Sequence, residues 1–302
     1  MNQGKYVFAQ LTSFLPKHVF ENCVNRYQGN HWVHRFSCWN QLMCMMFGQL
    51  SGRDSLRDII TSLSPHQPKF YHLGLGQGIS LSNLAYANEK RSYRIFEDYA
   101  YHLIAEARKS SLIDDAFLKV FDGPVYAFDS TIVDLCLSVF WWATFRRAKG
   151  GIKLHTQLDL KTNVPAFVHL TPADVHDVNG LDHIAYETNN FYVFDRGYID
   201  FSRLYTIDRH DAFVVVRAKK NLRFDRQYSN KCNKAANIRC DQVIKLHGYY
   251  SSADYPDKLR RVKYFDQESA TMFVFLTNNM ELKAEEIAAL YKYRWKIELF
   301  FK

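Results

Sequence analysis

Two stretches of this chain run apolar and aromatic and then stop on an aspartate. Residues 125–131 read VYAFDST and residues 191–198 read FYVFDRGY. Each predicts a short buried strand that presents a carboxylate at its end, Asp129 in the first and Asp195 in the second. Burying such a carboxylate is costly unless it is paired or coordinates a metal. A third acid, Glu298, lies in the last predicted helix, YKYRWKIELFFK. Two strand-end aspartates and a helix glutamate form a hard oxygen set suited to Mg²⁺. Each aspartate taken alone reads more readily as a cap or an ion-pair partner. Asp122, Asp134, Asp159, Asp174, His176 and Asp177 compete as ligands, although the alternation around Asp134 and Asp159 predicts that these two face solvent.

The pattern along the chain sets these acids in an α/β context. Residues 1–110 predict a small all-helical domain, expected to bind DNA, with Val19, Phe20, Cys23 and Tyr27, then Leu42, Met45, Met46 and Leu50, at helical spacing. Arg91, Arg94 and Arg108 are expected on its surface. The LGLGQG run at Gly74, Gly76 and Gly78 has the wrong spacing and context for a dinucleotide loop and predicts a turn. From 111 to 217 short β-rich runs alternate with helix: 125–129, 132–139, 153–160 and 166–170, a helix near 180–188, the strand carrying Asp195, a helix over 201–209 and a strand over 212–217. Strands and helices in that order imply a mixed sheet. Residues 218–270 predict a β-rich insertion, and 271–302 a returning strand followed by the final helix.

That helix carries a second pattern. Tyr291, Arg294 and Glu298 fall at i, i+3 and i+7, on one face, beside an apolar stripe of Ile287, Leu290, Ile297 and Phe301. An arginine one turn before a metal-binding glutamate can hold a phosphate by a forked contact. Tyr291 could stack on a base or bond a phosphate. A plain amphipathic helix with an internal Arg–Glu pair explains the same spacing.

The formal net charge of +8 favours a polyanionic partner. Basic candidates for phosphate contacts are Arg146, Arg147, Lys149 and Lys153 in FRRAKGGIK, and the run containing Lys219 and Lys220. Phosphodiester chemistry needs the attacking oxygen activated and the leaving oxygen's charge stabilised, and two Mg²⁺ ions about 3.5–4 Å apart do both. The six cysteines have no zinc-like spacing and are expected to be reduced. No apolar run approaches the roughly 18 residues of a membrane span, and a cytoplasmic protein is expected.

At these residues the sequence resembles the Asp-Asp-Glu (DDE) transposases of the bacterial insertion-sequence-4 group. Ala127–Thr131 (AFDST) is similar to the segment around that group's first catalytic aspartate, and FDRGYIDF followed by AFVVVRAK to the second. Tyr291, Arg294 and Glu298 match the first three members of its Tyr-Arg-Glu-Lys signature. The resemblance implies a ribonuclease H-like core with a β-rich insertion before the glutamate, preceded by the helical domain. It implies Asp129, Asp195 and Glu298 as ligands of two Mg²⁺ ions, for which Mn²⁺ may substitute, and Tyr291 and Arg294 as DNA-end contacts. The implied activity is cleavage at terminal inverted repeats and strand transfer into target DNA, by a homodimer on double-stranded DNA near the bacterial nucleoid. The signature's lysine falls beyond Lys302, so a C-terminally truncated copy, or a fragment of a longer protein, is expected. A truncated, inactive remnant that binds DNA or inhibits an intact transposase is the second expectation, and a nuclease that cuts without joining the third.

Overall fold

The computed structural model describes residues 6–110, 115–135, 144–146 and 149–302. The chain divides into two compact units, Met1–Lys109 and Ser110–Lys302.

In the first unit, helices α1 (Val7–Thr12), α2 (Lys17–Arg26), α3 (Cys38–Leu50), α4 (Leu56–Leu63), α5 (Leu81–Lys90) and α6 (Arg94–Ser110) follow one another. Serine starts three of them. The hydroxyls of Ser37, Ser55 and Ser80 accept from the backbone N–H three residues on, which satisfies a donor that the first turn leaves orphaned. After α4 the chain tightens into a 3₁₀ stretch, Ser64–Leu73, with Pro68 inside; proline lacks the N–H an α-helix needs there. Phe36, Met43, Leu63 and Leu84 fill one apolar cluster, and Phe20, Cys38, Ile95 and Tyr99 a second. Arg91 is not the surface residue its position suggests. Its guanidinium donates to Gln41 Oε1 at 3.0 Å and to the Phe36 carbonyl, so it ties α5's end to the core.

The second unit is a mixed α/β body around one ten-stranded sheet of described strands. In chain order it contains β1 (Val125–Leu135), β2 (Thr144–Arg146), β3 (Lys149–Asp159), β4 (Val164–Pro172), β5 (Phe191–Phe194), α7 (Phe201–Arg209) and β6 (Phe213–Arg217). Then come β7 (Phe224–Ser229), β8 (Ile238–Leu246), α8 (Tyr249–Asp254), β9 (Lys258–Asp266), β10 (Thr271–Thr277), α9 (Ala284–Tyr293) and α10 (Trp295–Phe300). The sheet order is β2-β3-β1-β5-β6-β10-β9-β8-β7, with β4 also paired to β3. β1, β5 and β6 run parallel, while β3 and β10 flank them antiparallel. Residues 218–270 add β7, β8 and β9 to the far edge of this sheet.

Strand β5 is buried at all four positions, as expected for a parallel strand covered on both faces. Ala127, Val193, Val215 and Phe275 pack with Ile287, Leu290 and Ile297 of the last helices. Tyr126, Phe128, Tyr192 and Phe194 pack on the other face with Leu204 and Ile207 of α7.

Several expectations need correction. The runs 125–129 and 132–139 are not two strands, because β1 continues unbroken to Leu135 against β3; residues 136–139 lie outside the described residues. The helix expected near 180–188 is a 3₁₀ turn, Asp177–His183, since Asn179 and Gly180 are poor helix formers. The last helix is two pieces, divided at Arg294. Asp159 is buried at the end of β3 and accepts from the Lys161 N–H at 2.9 Å, so it does not face solvent. The five described cysteines are free thiols, and Cys136 lies outside the described residues. No helix among the described residues is long and apolar enough to cross a membrane.

Candidate active site

Parallel pairing of β1 with β5 runs towards the two aspartates. Ala127 of β1 lies opposite Val193 of β5. The pairing ends there, two residues short of Asp129 within β1 and of Asp195 just past the end of β5. Side chains alternate along a strand, so both acids share the face of Ala127 and Val193, the face that α9 and α10 cover. The last helices then supply Tyr291, Arg294 and Glu298 over the same spot. The Tyr291 hydroxyl donates to Asp195 Oδ1 at 2.9 Å. Arg294 Nη2 donates to Glu298 Oε1 at 2.6 Å, and Nη1 stands 3.9 Å from Asp129 Oδ2.

Asp129 is held from two further sides. The Ser130 N–H donates to its Oδ1 at 2.9 Å and the Tyr198 hydroxyl to the same oxygen at 3.3 Å. Burial nevertheless pushes its carboxyl above the ordinary carboxylate value, with Glu298 adding like-charge repulsion and Arg294 opposing it. Burial also raises the Tyr198 and Tyr291 hydroxyls, which stay protonated and able to donate. Burial disfavours the Arg294 cation, but Tyr291, Glu298 and Asp195 outweigh it and the guanidinium stays charged. Its Nε is buried with no hydrogen-bond partner. A lost bond of that kind costs about 1–3 kcal/mol, so a donor is held in reserve beside the acids.

The site therefore gathers three carboxylates around one guanidinium. Hard oxygen donors with one cation among three acids fit a divalent ion such as Mg²⁺ in chemistry and in charge. Among the described residues no group of three or more His, Cys, Asp and Glu side chains is placed closely enough to hold a metal ion. Arg294 lies between Asp129 and Glu298 as the internal counter-ion.

The other expected site residues are placed differently. Lys153 is not a surface cation. It is 7 % exposed, and its ammonium is held by the Val175 carbonyl at 2.6 Å and Asp177 Oδ1 at 2.8 Å. Alternation in β3 turns it inward. Asp177 is thereby an ion-pair partner, bound also by the Ser130 hydroxyl at 2.6 Å, and Lys153 and Ser130 hold its carboxyl below the ordinary value against the opposing effect of burial. Tyr291 is 7 % exposed and Arg294 9 %, so Tyr291 offers no open ring face for a base. Arg146 and Lys149 pair across the β2–β3 hairpin; their side chains, and Arg147 as a whole, lie outside what the structure describes. Lys219 and Lys220 are exposed. Tyr198 was not among the expected site residues, although it stands in the same FDRGY run as Asp195.

Behind the site, His155 stacks on Phe128 with ring centroids 6.2 Å apart, and burial lowers its pKa to about 4. A Cβ on Gly180 would lie 2.6 Å from His155 Nδ1 and 2.9 Å from Phe128 Cζ. Gly180→Ala is expected to cost about 1–3 kcal/mol by overpacking, read as a lower urea midpoint with unchanged m-value.

A family profile described as the transposase DDE domain matches residues 121–302, more than half of the chain. The chain belongs to this family. Its residues 3–76 match a domain of unknown function, DUF4372. Curated relatives of this transposase domain are named as transposases. "Putative transposase y4zB" of Sinorhizobium fredii is 34 % identical over 53 % of this chain and 46 % of its own. "Putative transposase for insertion sequence element IS4SA" of Synechocystis is 26 % identical over 75 % of this chain and 62 % of its own. "Probable transposase for insertion sequence element IS5377" of Geobacillus stearothermophilus is 27 % identical over 60 % and 48 %. The chain thus spans about half to three-fifths of the length of these relatives. Among solved structures, the endonuclease V of Bacillus subtilis aligns at a TM-score of only 0.28 and 9 % identity, over 67 % of this chain and 84 % of that one.

Proposed function

We propose that the second unit cleaves DNA at the terminal inverted repeats of an insertion sequence and transfers the cut strand into target DNA. What supports this reading is the parallel register of β1 and β5, which runs to Ala127 and Val193 two residues before the aspartates, together with the last helices' contacts: Tyr291 on Asp195, and Arg294 between Asp129 and Glu298. Two features of the fold support a ribonuclease H-like core. The order β4-β3-β1-β5-β6 places three antiparallel strands on one side and two parallel ones on the other, and the two aspartates belong to its central strands, Asp129 within β1 and Asp195 just past the end of β5.

Asp129, Asp195 and Glu298 would hold two Mg²⁺ ions, or Mn²⁺ in their place. When bound, such a pair activates the attacking oxygen and offsets charge on the leaving oxygen. The chain's own groups do the positioning. The Ser130 N–H and Tyr198 hydroxyl orient the Asp129 carboxylate, and the Tyr291 hydroxyl orients that of Asp195. Arg294 has a forked guanidinium and an unspent Nε, which suit a phosphate oxygen. Lys219 and Lys220 lie on the surface as phosphate contacts for flanking duplex, and a second copy of the chain would hold the other element end.

The test uses the intact chain and a duplex carrying the inverted repeats that flank its gene. Nicking at the repeat end in Mg²⁺ or Mn²⁺, abolished by chelation and by Asp195→Asn, is the expected result. Nicking that persists in Asp195→Asn, or its absence in the parent protein with either ion, would overturn the assignment.

A further inference from the structure

We infer that the first unit binds single-stranded DNA in a cleft between residues 28–36 and helix α5, with unpaired bases stacked on Trp32 and Tyr86. This goes beyond the cleavage reading and uses none of its residues.

Charge points to the ligand class first. Residues 1–109 hold twelve Lys and Arg against seven Asp and Glu, so this unit carries +5 of the chain's +8. Its cleft of about 500 Å³ has Arg35, Lys90 and Arg91 in its lining, with His31 and His34, and no Asp or Glu. Lys90 does pair with Glu89 at 2.7 Å, but both are exposed, and such a pair is worth little and exchanges readily.

The rings select among polyanions. Trp32 is 83 % exposed and Tyr86 66 %, although both would gain by burial. An indole left in water beside cations is what a stacking platform for bases looks like. Duplex DNA hides its base faces, so only unpaired nucleotides can use such rings.

The platform is also rigid, which lowers the entropy lost on binding. Gly29 packs closely on Ile95 and on Cys38 Sγ, 2.8 Å from where its Cβ would be, so a larger residue would displace both side chains. The Asn30 side chain accepts from the Cys38 N–H at 2.8 Å. Arg91 grips the Phe36 carbonyl and lies 5.5 Å over the Phe36 ring. Between these anchors Trp32 adopts a left-handed backbone, φ 59°. That conformation is strained for a bulky residue and persists only where the surroundings impose it.

The experiment measures binding of a fluorescent oligothymidylate and of a duplex of equal length to the full chain, by anisotropy in EDTA. EDTA removes divalent ions, so failure here leaves the cleavage reading intact, and failure of cleavage leaves this one intact. Trp32→Ala is expected to weaken oligothymidylate binding by roughly 5- to 100-fold, the effect of one lost base stack, with duplex binding unchanged. Lys90→Gln should weaken both and lower the salt slope by about one. Trp32 is almost wholly exposed, so the variant should unfold at the parent's temperature, and rings at positions 32 and 86 can be removed separately. Unchanged oligothymidylate affinity in both Trp32→Ala and Tyr86→Ala, or equal losses for duplex and single strand, would overturn the assignment.

Discussion

Asp129→Asn is expected to lose DNA cleavage by at least about a thousandfold while the protein becomes no less stable at neutral pH. The first half follows from charge. An acid that fixes a divalent ion supports several kcal/mol of transition-state stabilisation, and each 1.36 kcal/mol is tenfold in rate. The second half follows from burial. Desolvation holds the Asp129 carboxyl above its ordinary value in the folded protein, so folding favours its protonated form. The stability this group contributes is fully present below the unfolded carboxyl value, about 3.9, and is lost as pH rises through the higher folded value. At pH 7 the parent therefore carries an unfavourable ionised carboxylate that asparagine lacks. Urea denaturation should show the variant equal or more stable at pH 7, with its advantage shrinking as the pH is lowered through the acid range. A variant that is markedly less stable at pH 7, or that still cleaves, contradicts the assignment.

The largest effect on folding is expected from Asp241→Ala. Asp241 and Arg260 form a fork across β8 and β9, with Nε–Oδ1 and Nη2–Oδ2 both at 2.8 Å and only 4 % and 5 % exposed. Removing the acid leaves a buried guanidinium without its counter-ion, at a cost of about 3–5 kcal/mol. For a unit of this size that lowers Tm by roughly 6–20 °C. The pair also reaches the site. Arg260 Nη1 donates to the Leu282 carbonyl at 2.5 Å, two residues before α9 begins, so the fork fixes the entry of the helix that carries Tyr291. The double variant Arg260→Met with Asp241→Leu should recover most of the lost stability, because an apolar pair of similar volume removes both charges together. Calorimetry of the two variants distinguishes a lost counter-ion from a lost volume.

Much of the second unit was legible because burial writes itself into strands. VYAF and FYVF are apolar at every position, and a run of that kind can only lie inside a sheet covered on both faces. The aspartate closing the second run does stand just past a strand end, whereas Asp129 lies within β1, which continues to Leu135. What the residues alone did not show is which polar groups answer one another across the fold. Lys153 and Asp159 sit in alternating β3, and alternation shows that neighbours face opposite ways without saying which way is inward. Lys153 is inward because Asp177, 24 residues later, comes back to meet it. The pairing of Tyr198 with Asp129 is of the same kind, a contact across 69 residues. The helical spacing of Arg294 and Glu298 did foretell their ion pair, because that contact is local. The break in the last helix was hidden, since it needs no glycine or proline: Arg294 stays right-handed, φ −51° and ψ −31°, and only the hydrogen-bond pattern changes.

The spread of the three acids along the chain has a consequence for when they can act. Asp129 and Glu298 are 169 residues apart, and the sheet between them must form first, since β10 lies between β6 and β9 before the chain turns into α9. Contacts of such long range are entropically late in folding. A ribosome-bound chain, or one unzipped from its C-terminal side, holds two aspartates without the glutamate. The set of three acids is in this way kept incomplete until the chain has been made and folded as far as α10.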